Sequence, residues 1–193
     1  HFGTRIRGNS HRTMQGAVFI ATSLDGFLAT KDGDVGFLEE VPPLEDGNDM
    51  GFKAFLATVD VMVMGRNSFD KVVSFGRDVW PYGDLKVVVW SRGDVEIPDY
   101  RRATVSSSSK PPAELHSELE REGYKRVYID GGFTVRKFLD AGLVSEITLT
   151  LAPVLLGEGI SLFGGSKKTK LKRLETSTFP NGMVSSKYQV LAD

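Results

Sequence analysis

The sequence predicts an α/β fold: a mostly parallel central sheet flanked by helices, with an antiparallel edge at its C-terminus. Three observations carry this. Between residues 16 and 142, short apolar runs alternate with segments whose apolar residues have helical spacing. Beyond residue 145, strand patterns follow one another with no helix between them. Phe179-Pro180-Asn181-Gly182 then separates the last two strand patterns as a hairpin turn would.

The elements follow in order. Residues 16–21 are β-branched and aromatic enough for a strand buried on both faces, and Ser23-Leu24-Asp25-Gly26 turns the chain. A long glycine-rich loop, residues 32–47, is the kind that usually serves function. Met50, Phe52, Phe55 and Leu56 predict a helix over 49–58. Residues 61–64 form a second buried strand, ended by Gly65, and 67–73 a short helix. After a turn at 80–83 comes a third strand, 86–90. Residues 106–112 read as a polar loop leading to a helix over 113–122, which Gly123 stops. A fourth strand, 126–129, turns at Asp130-Gly131-Gly132 directly into a helix over 134–141, capped by Gly142. Residues 145–152 alternate as a half-buried strand, and 153–156 read as an apolar strand before the flexible turn Gly157-Glu158-Gly159. The closing hairpin is 171–178 and 183–191.

Composition bounds the chemistry. The 193 residues carry 24 Lys and Arg against 25 Asp and Glu, a formal net charge of −1, so nothing predicts nucleic acid or an anionic membrane as partner. No apolar run reaches the roughly 18 residues of a membrane helix. Without cysteine there are no disulfides, thiolate nucleophiles or cysteine-ligated metals, which fits a reducing, cytoplasmic setting. Two of the three histidines, His1 and His11, lie in an N-terminal arm and only His116 lies beyond it, so no metal site is expected. Residues 1–13 hold Arg5, Arg7 and Arg12 and no acid; they read as a tag remnant or a disordered arm ahead of a domain over 14–193.

Ligands of open α/β sheets bind beyond the carboxyl ends of the strands. Gly131-Gly132 before a helix lets a diphosphate approach, with the N–H groups of Phe133, Thr134 and Val135 facing it; a tight strand-to-helix turn explains the same residues. It is not the G-x-G-x-x-G fingerprint, so an ordinary dinucleotide fold is not supported. Gly65-Arg66-Asn67-Ser68 is a second such turn, where Asn67 or Ser68 could simply cap the helix. Arg66, with Ser91 and Arg92 at the next strand end, would suit a dianion such as the 2′-phosphate of NADPH. Asp49 beside an apolar helix face could carry a raised pKa and supply a proton, or merely cap its helix. Asp25 poses the same choice against a turn role. Phe19, Phe37, Phe52 and Phe55 could line a flat aromatic pocket or belong to the core.

Taken in order, these segments resemble the dihydrofolate reductase superfamily, and within it the branch containing the reductase domain of riboflavin biosynthesis. The likeness rests on Ala21-Thr22-Ser23-Leu24-Asp25-Gly26-Phe27-Leu28-Ala29, Val63-Met64-Gly65-Arg66-Asn67-Ser68-Phe69 and Val89-Trp90-Ser91-Arg92. It continues through Val127-Tyr128-Ile129-Asp130-Gly131-Gly132, Leu143-Val144-Ser145-Glu146, Pro153-Val154-Leu155-Leu156-Gly157-Glu158-Gly159 and Leu162-Phe163. The resemblance implies a dihydrofolate-reductase-like three-layer fold and NADPH as reductant. It assigns Gly65, Arg66, Asn67 and Ser68 to the 2′-phosphate and diphosphate, and Ser91 and Arg92 to the adenosine end. Gly131, Gly132, Phe133, Thr134 and Val135 go to the diphosphate, and Ala21 and Gly26 to the nicotinamide. Asp49 stands where the family's acid precedes the Met-Gly-Arg strand. A homodimer through the C-terminal strands is also implied.

The departures matter too. Trp80-Pro81-Tyr82-Gly83-Asp84-Leu85 lacks the arginine with which dihydrofolate reductases hold the folate tail; Arg77 or Lys86 is a poor bidentate substitute. No deaminase signature accompanies the domain, and no basic cluster for a ribose phosphate lies near residues 37–52. The expectation is an NADPH-dependent reductase of an aminopyrimidine or pterin-like heterocycle, similar to 5-amino-6-(5-phosphoribosylamino)uracil reductase. A dihydrofolate reductase and a non-catalytic NADPH-binding protein are the alternatives.

Overall fold

A computed structural model describes residues 13–192; the N-terminal arm, but for Thr13, lies outside them. Strands β1 (Gln15–Ser23), β2 (Phe27–Ala29), β3 (Val61–Gly65), β4 (Lys86–Trp90), β5 (Val105–Ser108), β6 (Arg126–Asp130), β7 (Glu146–Ala152), β8 (Ile160–Ser161), β9 (Leu171–Thr178) and β10 (Val184–Val190) are joined with four α-helices. The helices are α1 (Phe52–Leu56), α2 (Arg66–Ser74), α3 (Pro112–Arg121) and α4 (Gly132–Asp140). Eight strands form one sheet in the order β5-β4-β3-β6-β1-β7-β10-β9. All pairs from β5 to β7 are parallel, and β10 runs antiparallel to both β7 and β9.

Each sheet face has its own core, giving three layers. On one face Val18, Val61, Val63, Val127 and Ile129 meet Leu115 and Leu119 of α3 and Val135 and Phe138 of α4. On the other, Met62, Met64, Val87, Val89 and Tyr128 meet Phe55 of α1 and Phe69 of α2. Strict alternation within doubly covered strands explains why β3 and β4 read as continuous apolar runs. No helix among the described residues is long and apolar enough to cross a membrane.

Several boundaries differ from expectation. Residues 105–108 are a strand, not the start of a polar loop; only Val105 of this edge is buried, so its serines carry no hydrophobic period. Residues 153–156 are not a strand, because β7 ends at Ala152. The helix expected over 49–58 shrinks to Phe52–Leu56. Met50 and Gly51, at φ of 55° and 88°, occupy the left-handed region and cannot continue a right-handed helix backwards. The β2–β8 ribbon is only three residues by two, too short for any periodic signal.

Candidate functional site

The carboxyl ends of β1, β3, β4 and β6 converge because these strands are parallel neighbours: Met64 lies opposite Asp130, and Gly65 opposite Trp90. The turns that follow β3 and β6 open α2 and α4, so two helix N-termini stand side by side. Their separation is set by glycine. A Cβ on Gly65 would stand 2.7 Å from Thr134 Oγ1, and one on Gly131 would stand 2.7 Å from Ser68 Oγ. Gly131 also sits at φ 90°, which an L side chain resists. Gly65 and Ser68 thus lie beside Gly131 and Thr134. Of the α4 residues, Thr134 and Val135 are buried and Phe133 is 54% exposed, its ring stacked 5.9 Å from that of Trp90.

Paired helix starts present N–H groups and the positive ends of two dipoles, a donor set that suits a diphosphate. At the end of β1, Ala21 is half-buried beside Thr22, whose hydroxyl is buried without a partner. Gly26, at φ 85°, closes the following turn by donating to the Ser23 carbonyl at 3.0 Å. The residues present therefore offer a donor set that fits a dinucleotide diphosphate.

Arg66 is not the free clamp its sequence position suggested. Its Nε donates to Asp70 Oδ2 at 2.6 Å and its Nη1 to the Asp94 carbonyl. Arg92, in the same loop as Asp94, is exposed, and Ser91 Oγ accepts from the Gly93 N–H at 3.2 Å.

The two acids weighed in the sequence are both held ionised. Asp49 accepts the Lys53 N–H at 2.8 Å and the Gly51 N–H at 3.1 Å; the Lys53 bond above all lowers its pKa, against the opposing effect of burial. Of the two roles the sequence left open for Asp49, its bonds are those of a cap at the start of α1, and a raised pKa is not found. Asp25 accepts from Ser23 Oγ at 2.6 Å, from the Leu156 N–H at 3.1 Å and from the Gly157 N–H at 2.7 Å, and its pKa is lowered, chiefly by the serine hydroxyl. It latches the turn after β1 to the loop after β7.

The acid with a raised pKa is Asp130, at the end of β6. Burial of its carboxylate pushes it up to about 6, although the residue as a whole keeps some surface; the Gly131 N–H and the Tyr128 hydroxyl partly offset this. Tyr128 donates to the Phe19 carbonyl at 2.9 Å and lies 3.3 Å from Asp130 Oδ1. Burial, then the charge of Asp130, raises the Tyr128 and Tyr82 phenols. Phe19, Phe52 and Phe55 pack around them, with ring centroids 5.0–6.5 Å apart. Phe37 does not join this wall; it packs with Val41, Ala152 and Met183.

A cavity of about 590 Å³ borders this aromatic group, with Phe19 and Phe55 in its lining. It lies between α1 and the β7–β10–β9 edge, and its lining runs from Arg126 and Glu146, the first residues of β6 and β7, to Ser185, which is paired with Thr150 towards the end of β7.

Comparison with known proteins agrees with this architecture. The family model described as the RibD C-terminal domain matches residues 16–185. The uncharacterized Bacillus subtilis (strain 168) protein YwjB is 32% identical over 165 residues, covering 84% of this chain and 90% of its own length. A Shewanella sp. PV-4 structure, assigned provisionally to riboflavin biosynthesis, is 35% identical with a TM-score of 0.86, over 93% of this chain and all of its own. Two more distant structures share the fold. The Thermotoga maritima diaminohydroxyphosphoribosylaminopyrimidine deaminase/5-amino-6-(5-phosphoribosylamino)uracil reductase is 14% identical, with a TM-score of 0.64 over 93% of this chain and 57% of its own. Enterococcus faecalis dihydrofolate reductase, complexed with NADP(H), is 15% identical, with a TM-score of 0.61 over 94% of this chain and 98% of its own.

Proposed function

Because the chain belongs to the RibD C-terminal domain family, we propose that it is an NADPH-dependent reductase of a small aminopyrimidine or pterin-like heterocycle. The observation that carries this reading is the pairing of two glycine-opened helix starts with an acid of raised pKa at the adjoining strand end. In this reading the backbone N–H groups of Asn67, Ser68, Phe133 and Thr134 hold the diphosphate, while Ser91 and Arg92 hold the adenosine end. Ala21, Thr22 and Gly26 border the nicotinamide. NADPH, when bound, supplies the hydride.

The chain's own residues supply the proton and the positioning. Asp130, rather than Asp49, is the donor: a carboxyl with a pKa of about 6 gives up a proton near neutral pH, whereas Asp49 is already ionised there. Phe19, Phe52 and Tyr82, their rings tilted by 50° and 73° from one to the next, form the apolar wall against which a heteroaromatic ring would pack. The homodimer implied by the family likeness is supported by β9, an eight-residue sheet edge exposed along its whole length.

Nicotinamide fluorescence during titration with NADPH and NADH tests the cofactor assignment, and loss of nicotinamide absorbance with aminopyrimidines and pterins tests the reaction. Arg92→Ala is expected to weaken NADPH by about tenfold and leave NADH nearly unchanged. Failure of the wild-type chain to bind either nucleotide would overturn the reading.

A further inference from the structure

The Arg66–Asp70 pair stands where the adenosine ribose of a nicotinamide cofactor would lie, if the reading above holds. The salt bridge spans one turn of α2 at 2.6 Å, with side chains 38% and 49% exposed. The Asp94 carbonyl holds the other side of the guanidinium. Arg92 lies two residues beyond Trp90, which is paired with Gly65, in the loop whose Asp94 carbonyl holds Arg66. Two cations and a carboxylate therefore share one exposed patch.

We infer that Asp70 is a specificity-determining residue for the cofactor: it weakens recognition of a 2′-phosphate and narrows the advantage of NADPH over NADH. Two physical effects act in the same direction. The Asp70 carboxylate repels a phosphate dianion brought to Arg66. It also occupies the Nε of Arg66 while Asp94 takes Nη1, so the fork that would grip a phosphate through two parallel bonds is already engaged. A ribose 2′-hydroxyl has the opposite requirement, because it can donate to an exposed carboxylate. The competing role, in which Asp70 aims Arg66 at the phosphate, is redundant here. The Asp94 carbonyl already fixes the guanidinium, and a bridge this exposed adds little rigidity.

The two roles differ in sign, which makes the test direct. Dissociation constants for NADPH and NADH are measured by nicotinamide fluorescence for the wild type, Asp70→Asn and Asp70→Ser, at low and high salt. Both substitutions are expected to tighten NADPH by roughly three- to tenfold at low salt. NADH should be unchanged or weaker, and the gain should shrink at high salt. A ratio of NADPH to NADH affinity that stays constant or falls in both variants overturns the inference while leaving the cofactor assignment standing. A wild-type chain that binds neither nucleotide overturns both.

Discussion

Asp130→Asn should make the protein more stable and less active, and both changes should follow one pKa. The carboxyl sits near 6 in the folded chain against 3.8 for a free aspartate, because burial disfavours its charge. The folded state therefore keeps a proton through the window between about pH 4 and 6 that the unfolded state has lost. Stability falls as pH rises through that window, and the full loss above it is worth roughly 3 kcal/mol. An asparagine keeps an oxygen for the Gly131 N–H and the Tyr128 hydroxyl but carries no charge. The variant should match the wild type near pH 4 and exceed it by roughly 1–3 kcal/mol at pH 7.5, a rise of about 2–4 °C in Tm for each kcal/mol. Urea unfolding at intervals from pH 4 to 7.5 reads the difference as the gap between two curves. Turnover of any identified substrate should fall as pH rises through about 6 in the wild type, and the variant should lose that dependence. An asparagine variant less stable than the wild type at pH 7.5 would refute the claim that burial sets this pKa.

Three further outcomes follow from the geometry. Gly131→Ala forces a Cβ to 2.7 Å from Ser68 Oγ at φ 90°; it should cost roughly 2–3 kcal/mol in urea unfolding and weaken NADPH, and Ser68→Ala should relieve the contact but not the backbone strain. Glu146→Ala leaves Arg126 and Lys187 without the carboxylate that bridges them at 2.6 and 3.1 Å; with the Arg126–Glu146 pair only 20% and 17% exposed, unfolding should show a loss of roughly 3 kcal/mol, while Lys187→Met should cost less than about 1. Asp25→Ala removes the acceptor of the Leu156 and Gly157 amides, so hydrogen exchange at both should accelerate; in the wild type the same latch should weaken in acid, because a carboxylate whose pKa is lowered contributes stability that disappears as pH falls through it.

The legible part of the fold was the part with a period. β1, β3, β4 and β6 lie inside a doubly covered sheet, so nearly every residue is apolar and the runs are unmistakable. β5 lies at an edge with one buried residue, and nothing in Val105-Ser106-Ser107-Ser108 distinguishes it from a loop. The glycine turns were readable because close approach and positive φ leave few alternatives to glycine. Asp130 is not legible as an acid, because Asp-Gly-Gly looks like a turn and its shift comes from burial, with Tyr82, distant in sequence, close enough to feel its charge. One signal was available: Tyr128 and Asp130, two residues apart, must share a face of their strand. The fate of Arg66 was also within reach, since Asp70 stands four residues on, at the spacing of a helical ion pair.

The carboxylates are thus of two kinds. Asp49 and Asp25 accept backbone N–H groups, are exposed enough to stay charged, and fix the start of α1 and the turn after β1. Asp130 has much more burial, and it is the one whose pKa is raised, to about 6. Environments that drive neighbouring carboxyls apart in pKa are how one site separates a proton donor from its fixed charges. In the proposed reading, an apolar ring packed against Tyr82, whose phenol already feels the Asp130 charge, would add to the burial that raises this pKa. Protonation of Asp130 and substrate binding would then favour each other, so the acid would hold its proton best when a substrate is in place to receive it.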